Sequence, residues 1–469
     1  MVCMTTSARV FRAALGAAAV LGVVTAGVVP AAGADPAGGA DPASVGPSAK
    51  GEAPNQAPTA APAAATGPVG DSPAVVVPAG QGLPIGDPDL VETRSSRELA
   101  RGVTLTRIVR GTDPAPADQI NTTQRGPWVV NVLTIDPATS KGQVKATYGP
   151  DLARVEKTSD LVKSAGALAG VNASFFTFTA NPQFPGDPVG LGVSDGKLLS
   201  EPLTDPAEAN LVIDANSNKA VMGHLRWSGS VVNRQTDARL PLEFVNHPPV
   251  VPASCASLPD QTACTAPGDV VLFTKEFAAS TPSGAGVEVV LNQYGCVVKT
   301  ATTRGTALAP GQISLQATGK DTVALLNTVA NGCVNRDIGL SNENGDDVPL
   351  RTGLYGVTGR YRLTANGEIV VPGGSGSFFD RNPRTIAGTT RDGKIVLATI
   401  DGRQTTSVGT TMNETAAVAK ALGMHNAINL DGGGSTAMAL QDGTLVSHPS
   451  GTGGAERAVG DAIVFVPGR

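Results

Sequence analysis

The run Asn426-Ala427-Ile428-Asn429-Leu430-Asp431-Gly432-Gly433-Gly434-Ser435-Thr436 constrains the fold more than any other stretch, because an apolar segment runs straight into an acid, three glycines and two hydroxyls. Consecutive glycines give up a large backbone entropy on ordering. They are retained where the main chain turns through positive φ or passes close to another group. The pattern reads as a strand end opening into a site. Upstream, Gly393-Lys394-Ile395-Val396-Leu397-Ala398-Thr399-Ile400 also ends on an acid and a glycine, Asp401-Gly402, followed by Arg403. Between them Thr411 and Glu414 have capping-box spacing, an alanine-rich segment runs to Leu422, and Gly423 supplies a stop. Strand, helix, strand over this length predicts a βαβ unit with two parallel strands. Asp401 and Asp431 would then leave the same sheet edge, where open α/β sheets bind ligands.

The first 34 residues read as a secretory signal: Arg9 and Arg12, an apolar run from Ala13 to Val29, and an Ala32-Gly33-Ala34 cleavage pattern. The run is short and alanine-rich for a membrane anchor, so no membrane span is expected after its removal. From Asp35 to Gly86 the chain is dominated by Ala, Pro, Gly and Ser, a composition that buries too little apolar surface to offset ordering, and is expected to be a disordered spacer. The folded domain is expected over 87–469. Cys255, Cys264, Cys296 and Cys333 remain once Cys3 leaves with the signal, an even number in an exported chain. Loop closure favours Cys255 with Cys264 and Cys296 with Cys333 among three possible pairings, which makes 245–340 a disulfide-bearing middle segment. The formal charge of -5 becomes -7 without the two signal arginines, and with basic residues dispersed, nucleic acid is not an expected partner.

Elsewhere the chain is strand-rich, giving an α/β class with a mixed sheet. Trp128–Ile135 is a β-branched strand, a helix is expected across Asp160 to Ala169, and Gly170-Val171-Asn172 enters a small-residue turn before Phe175 and Phe176, read as core. Further strands are expected at Leu211–Ile213, Asp269–Phe273, Gly286–Leu291 and Ala462–Val466. Asp195-Gly196, Asn366-Gly367, Asp392-Gly393 and Asp442-Gly443 have hairpin chemistry. Gly192-Val193-Ser194-Asp195-Gly196 matches a nucleophile-elbow spacing, but a hairpin follows the serine where that motif needs a helix. His224, His247, His425 and His448 show no functional spacing and are read as ordinary.

These motifs, Asn429 to Thr436 with Asp401-Gly402-Arg403, Glu414-Thr415-Ala416, Arg381-Asn382-Pro383-Arg384-Thr385 and Glu456-Arg457-Ala458-Val459, resemble the phosphodiester glycosidase family. Gly170 to Phe176 stands in place of that family's Asn-Gly-Gly-Phe-Phe run, with Ala173-Ser174 replacing two glycines. The resemblance implies a secreted hydrolase acting on a sugar-1-phosphodiester, such as an N-acetylglucosamine-1-phosphodiester or a wall or capsular polymer.

Cleavage at an anomeric carbon passes through an oxocarbenium-like transition state that a carboxylate stabilises or attacks, the role expected of Asp431. The phosphate leaving group needs charge neutralisation, for which Arg384 and Arg403 are candidates, with a nest of amides from Gly432, Gly433, Gly434 and Ser435, and Thr436 as a further substrate-binding residue. Asp401 would act as a general base or hold Arg403. Glu414 would cap its helix or face a sugar hydroxyl, Asn172 would point into the pocket or form a local turn, and Arg457 would bind substrate or pair with Glu456. No cofactor is required. Calcium or magnesium held by Asp401, Asp431 and Asn172 is a rival arrangement of hard oxygen donors. The alternative function is a non-catalytic module that binds an anionic cell-surface polysaccharide with the same arginines.

Overall fold

The computed structural model describes residues 72–330 and 332–468, so the expected signal segment and the spacer before residue 72 lie outside the described residues. Strands predominate. A nine-stranded sheet runs, edge to edge, Val75–Val77, Glu92–Ala100, Val103–Arg110, Trp128–Ile135, Ile395–Ile400, Arg384–Thr390, Met424–Asn429, Arg362–Ala365 and Glu368–Ile369. The aliphatic strands predicted at Trp128–Ile135 and Ile395–Ile400 fall at its centre, and all six residues of the latter are buried. Such continuous apolar runs belong where both faces are covered.

One face packs Leu133, Ala387, Leu397 and Ile428 against Val171, Ile463 and Phe465 of a four-stranded sheet and against Leu211 and Val357 of a five-stranded one. The other face buries Val130, Ile386, Ala398 and Ile400 with Trp128 and with Met412, Ala416 and Ala419 of the helix Met412–Ala421. That helix forms as its sequence predicts. Thr411 accepts from the Glu414 amide, the Glu414 side chain accepts from the Thr411 amide, and Gly423 follows at φ +78°.

The βαβ expectation is corrected. Ile395–Ile400 and Met424–Asn429 are not neighbours, because Arg384–Thr390 lies between them and pairs antiparallel with both. The two flanking strands therefore run in the same direction, one strand apart. Arg384–Thr390 has β-branched residues at four positions, as Ile395–Ile400 does, but neither its composition nor its periodicity says that it inserts between the other two. The spacer boundary also moves. Val75–Val77 pairs with Glu92–Arg94, and Leu83 and Ile85 are 1% and 2% exposed within the cluster around Trp128. A few aliphatics suffice there because a sheet edge and an indole ring stand ready to cover them, and an average over the whole low-complexity stretch conceals them.

The helix expected across 160–169 is shorter, Thr158–Ser164, and the strand Ala169–Asn172 begins at once after the turn at Gly166. The remaining expected strands appear as Glu208–Asp214, Val270–Thr274, Gly284–Leu291 and Asp461–Pro467. The middle segment forms its own five-stranded sheet with the helix Asp321–Val329, and its disulfides join Cys255 to Cys264 and Cys296 to Cys333. Asp195-Gly196 and Asn366-Gly367 both take positive φ, as a type I′ hairpin requires, and Ser194 ends a strand before the first of them. Among the described residues no helix is long and apolar enough to cross a membrane.

Candidate functional site

The glycine turn after Met424–Asn429 is where charged groups converge. The Gly433 amide donates to Pro383 O at 2.9 Å, which seats the turn on the chain leading into Arg384–Thr390. A Cβ on Gly432 would stand 2.8 Å from that same carbonyl, so a side chain does not fit. A Cβ on Gly433 would lie 3.3 Å from Arg403 Nη2, and one on Gly434 would lie 2.6 Å from Arg457 Cζ. Two guanidinium groups thus lie directly against a bare main chain. Arg403 is exposed, itself at φ +60°, and donates to Asn382 Oδ1 at 2.9 Å. Arg457 stacks over the Phe178 ring at 4.8 Å, and Phe178 is a second non-glycine residue at positive φ, +46°. Such backbone strain gathers at binding sites. Glu456 turns instead to Ser159, accepting from its amide at 2.9 Å and its hydroxyl at 2.7 Å, so the expected pairing of Glu456 with Arg457 is not made.

Asp431 sits at the root of this turn. Its Oδ1 accepts from the Gly432 amide at 2.9 Å. Burial pushes its pKa up to about 6, against the opposing effects of Ser435 and the Arg457 charge, and Asp461 adds to the rise. The hydroxyl of Thr436 is buried without a hydrogen-bond partner, and that of Ser435 is buried beside Asp431. The expected amide nest is corrected: Gly432 N donates to Asp431 Oδ1, Gly433 N to Pro383 O, Ser435 N to Gly432 O and Thr436 N to Gly433 O, so these four amides are occupied within the fold.

The acid that shares the surroundings of Asp431 is therefore Asp461, which sequence reasoning missed. Asp461 opens its strand after Gly460 but has no glycine following it, unlike Asp401 and Asp431, and strand pairing brings it to Ser174, whose amide and hydroxyl donate to its two oxygens at 2.6 and 2.7 Å. Burial raises Asp461 to about 6, with Ser174 acting in the opposite direction. The serine that replaces a family glycine is thus the clamp on this acid, and that substitution was the available signal.

Asp401 has different neighbours. It lies in a cleft with Arg107 and His448, its side chain 1% exposed and both oxygens without a hydrogen-bond partner. His448 Nδ1 stands 3.8 Å from Oδ2, too far for a hydrogen bond. Burial raises the pKa of Asp401 to about 7, against the opposing effects of the His448 main-chain amide, the Arg107 charge and the Asn131 side chain, none of which closes to a full hydrogen bond. The single mouth expected for Asp401, Asp431 and the arginines resolves into two adjacent sites.

Three other expected site residues take structural positions. Arg384 is buried and donates to main-chain oxygens of Thr410, Phe378 and Asp380; burial lowers its pKa to about 10, helped by the nearby Arg403 charge. Its methylenes back Gly432, with Cδ 3.9 Å from where a Cβ would be. Glu414 accepts from the Thr411 amide with one oxygen and from Arg381 Nη2 at 3.0 Å with the other, so it is a cap and an ion-pair partner and does not face the turn. Asn172 accepts from Thr385 Oγ1 at 2.7 Å and the Ala437 amide at 3.1 Å, and donates to Asp431 O at 2.7 Å. It clamps the main chain of Asp431, and its oxygen is occupied, which takes away one donor of the calcium or magnesium arrangement.

Gly434→Ala is expected to keep the fold, because the group it meets is the end of a flexible side chain, and to displace Arg457 from Phe178. Affinity for inorganic phosphate should fall about tenfold, equivalent to roughly 1.4 kcal/mol, in a calorimetric titration.

Residues 285–466 match the family model described as phosphodiester glycosidase. No curated protein matches. Among solved structures, a protein of Burkholderia pseudomallei K96243 described as exported is 26% identical, with a TM-score of 0.69 over 83% of this chain and 99% of that one. A hypothetical protein from Synechocystis is 20% identical with a TM-score of 0.58, covering 78% of this chain and 62% of that one, a likeness of fold. The catalytic domain of zebrafish N-acetylglucosamine-1-phosphodiester alpha-N-acetylglucosaminidase, auto-inhibited by its pro-peptide, matches at 14% identity and a TM-score of 0.38 over 79% of this chain and 87% of that one. Asp401, Asp431, the glycine turn, Arg457 and Asp461 all lie inside the stretch that matches the phosphodiester glycosidase family model.

Proposed function

We propose that this chain is a secreted hydrolase that splits the bond between an anomeric carbon and the phosphate of a sugar-1-phosphodiester, with Asp431 at the anomeric carbon. The observation that carries this reading is a carboxylate with a raised pKa set at the foot of a bare glycine turn flanked by two guanidinium groups. A module built only to hold an anion gains nothing from a carboxylate there, which repels its ligand. A glycosyl phosphate has use for both charges. The arginines take the phosphate, while the carboxylate faces the carbon on which positive charge develops. The C1–O bond breaks with its electron pair left on the phosphate oxygen, and water supplies the new oxygen at C1. Because phosphate is a weak base, Arg403 and Arg457 support its departure without a proton donor. Asp461, clamped by Ser174, keeps Asp431 less acidic and positions it through charge. Two disulfides and the 26% identity to a protein described as exported support action outside the cytoplasm. The polymer of a cell wall or capsule fits as substrate on the same chemistry.

The test is incubation of the purified full chain with UDP-N-acetylglucosamine in ¹⁸O-water. Free N-acetylglucosamine carrying the label at C1, with unlabelled UDP, is expected. Label in the phosphate would mean attack at phosphorus and would overturn the reading, as would a folded protein that releases no sugar from this or a simpler glycosyl phosphodiester.

A further inference from the structure

A cleft of about 290 Å³ beside the glycine turn has no part in the chemistry above. It shares a wall with the turn. Gln404, on the cleft lining, donates to the main-chain oxygens of His448 and Pro449, and two residues on Ser450 Oγ donates to Gly433 O at 3.3 Å. At its inner end the cleft has Asp401, whose two carboxylate oxygens are buried without a hydrogen-bond partner. A buried, unsatisfied carboxylate is an expensive feature in a folded protein and is commonly explained by a ligand group that completes it. The side chain that covers it is the His448 ring, 70% exposed and not hydrogen-bonded to it. An exposed ring of that kind turns aside at little cost. The walls contribute Val109 and Val129, with Arg107 as a donor and Thr112 at the exposed rim.

We propose that this cleft is a subsite for a hydroxyl-rich unit, a sugar ring or polyol, whose hydroxyls displace His448 and donate to Asp401 while its C–H face lies on Val109 and Val129. In the hydrolase reading, on which its place in the reaction rests, it takes the unit attached to the far side of the phosphate. A cationic ligand fits less well. Arg107 already lends its charge to Asp401, and burial keeps this acid partly protonated near neutral pH, whereas a hydroxyl can bond to either form.

The test is calorimetric titration of the full chain with D-glucose, N-acetyl-D-glucosamine and glycerol, none of which contains a phosphodiester. At least one is expected to bind in the millimolar range. Asp401→Leu should weaken that binding at least about tenfold, by removing two acceptors, and leave inorganic phosphate affinity unchanged. Thr112→Trp, which fills the mouth from an exposed position, should do the same if the leucine variant does not fold. His448→Ala should leave binding equal or tighter. Failure of all three probes to bind the native chain, or binding that survives in Thr112→Trp and in any folded Asp401→Leu, overturns the subsite. The hydrolase reading fails separately: sugar binding lost in these variants with no turnover of UDP-N-acetylglucosamine would keep the subsite and remove the reaction, and the reverse pattern would do the opposite.

Discussion

Asp431→Asn is expected to lower kcat for sugar release roughly 10³-fold, within the range for loss of one preorganised group facing a developing charge, and to make the protein more stable at alkaline pH. Both effects come from one fact. Asp431 holds its proton more tightly in the fold, to about 6, than its ordinary value of 3.8 allows, because burial penalises the charge. The folded state therefore binds more protons than the unfolded one between these values. Its contribution to stability is fully present below pH 3.8 and is lost as the pH rises through about 6. Above that pH the native chain carries a buried charge that the asparagine variant lacks, and the variant should gain on the order of 1–2 kcal/mol in urea denaturation at pH 8. Activity has the opposite dependence, since the reaction needs the ionised carboxylate, and should climb through the same window. Because Asp461 is raised to the same value and acts on Asp431, the rise should be broader than that of a single group. Inorganic phosphate should bind the variant at least as well as the native chain, one negative charge being gone. A protein that only binds polysaccharide would show no such split. Loss of phosphate binding together with activity would point to a fold defect or a binding role.

The parts of this site that were legible in the sequence are those fixed by local chemistry. Three glycines after an apolar run announce a bare turn, Thr411 and Glu414 announce a cap, and both appear where expected. Arg403 and Arg457 were visible as candidates because they stand in short motifs, although only the fold shows them on two sides of the same turn. What could not be read was set by pairing between distant segments. Arg384–Thr390 inserts between the two strands that looked adjacent, and this separates Asp401 from Asp431. Asp461 joins Asp431 because its strand pairs with Ala169–Asn172, some 290 residues earlier in the chain, and no local pattern encodes that register. Glu414 misled because a capping box and a catalytic acid have the same composition; the second oxygen goes to Arg381, which is a fact of packing. Asn172 was expected to point into the pocket or to form a local turn, and it does neither. What it holds is the main chain of Asp431.

His247, one of four histidines without a spacing signal, is expected to be among the most sensitive positions for stability: His247→Leu should cost about 3–5 kcal/mol in urea denaturation at neutral pH, the usual consequence of breaking a buried ion pair. Its Nδ1 stands 2.8 Å from Asp187 Oδ1 and its Nε2 3.4 Å from Glu201 Oε1, with Ser200 Oγ at 3.1 Å. Asp187 and Glu201 are 3% and 4% exposed, so a leucine would leave two carboxylates together in a low dielectric with no cation between them. Burial alone would lower the pKa of His247; the charges of Asp187 and Glu201 overrule it and raise it to about 9. The stabilisation is therefore complete below the unfolded value of 6.5 and is lost as the pH rises through about 9, so the native melting temperature should decline across that interval. The cluster also reaches the site. The Asp187 carbonyl accepts from the Thr177 amide at 2.9 Å and the Pro185 carbonyl from the Phe178 amide at 2.9 Å, which sets the ring on which Arg457 rests. Loosening this loop should weaken phosphate binding in molecules that remain folded, an effect separable from unfolding by titrating well below the melting temperature. The double variant His247→Leu with Asp187→Asn should recover part of the lost stability, because one uncompensated charge is removed. A single variant as stable as the native chain, or a double variant less stable than the single, would show that the imidazolium is not what holds the two acids in place.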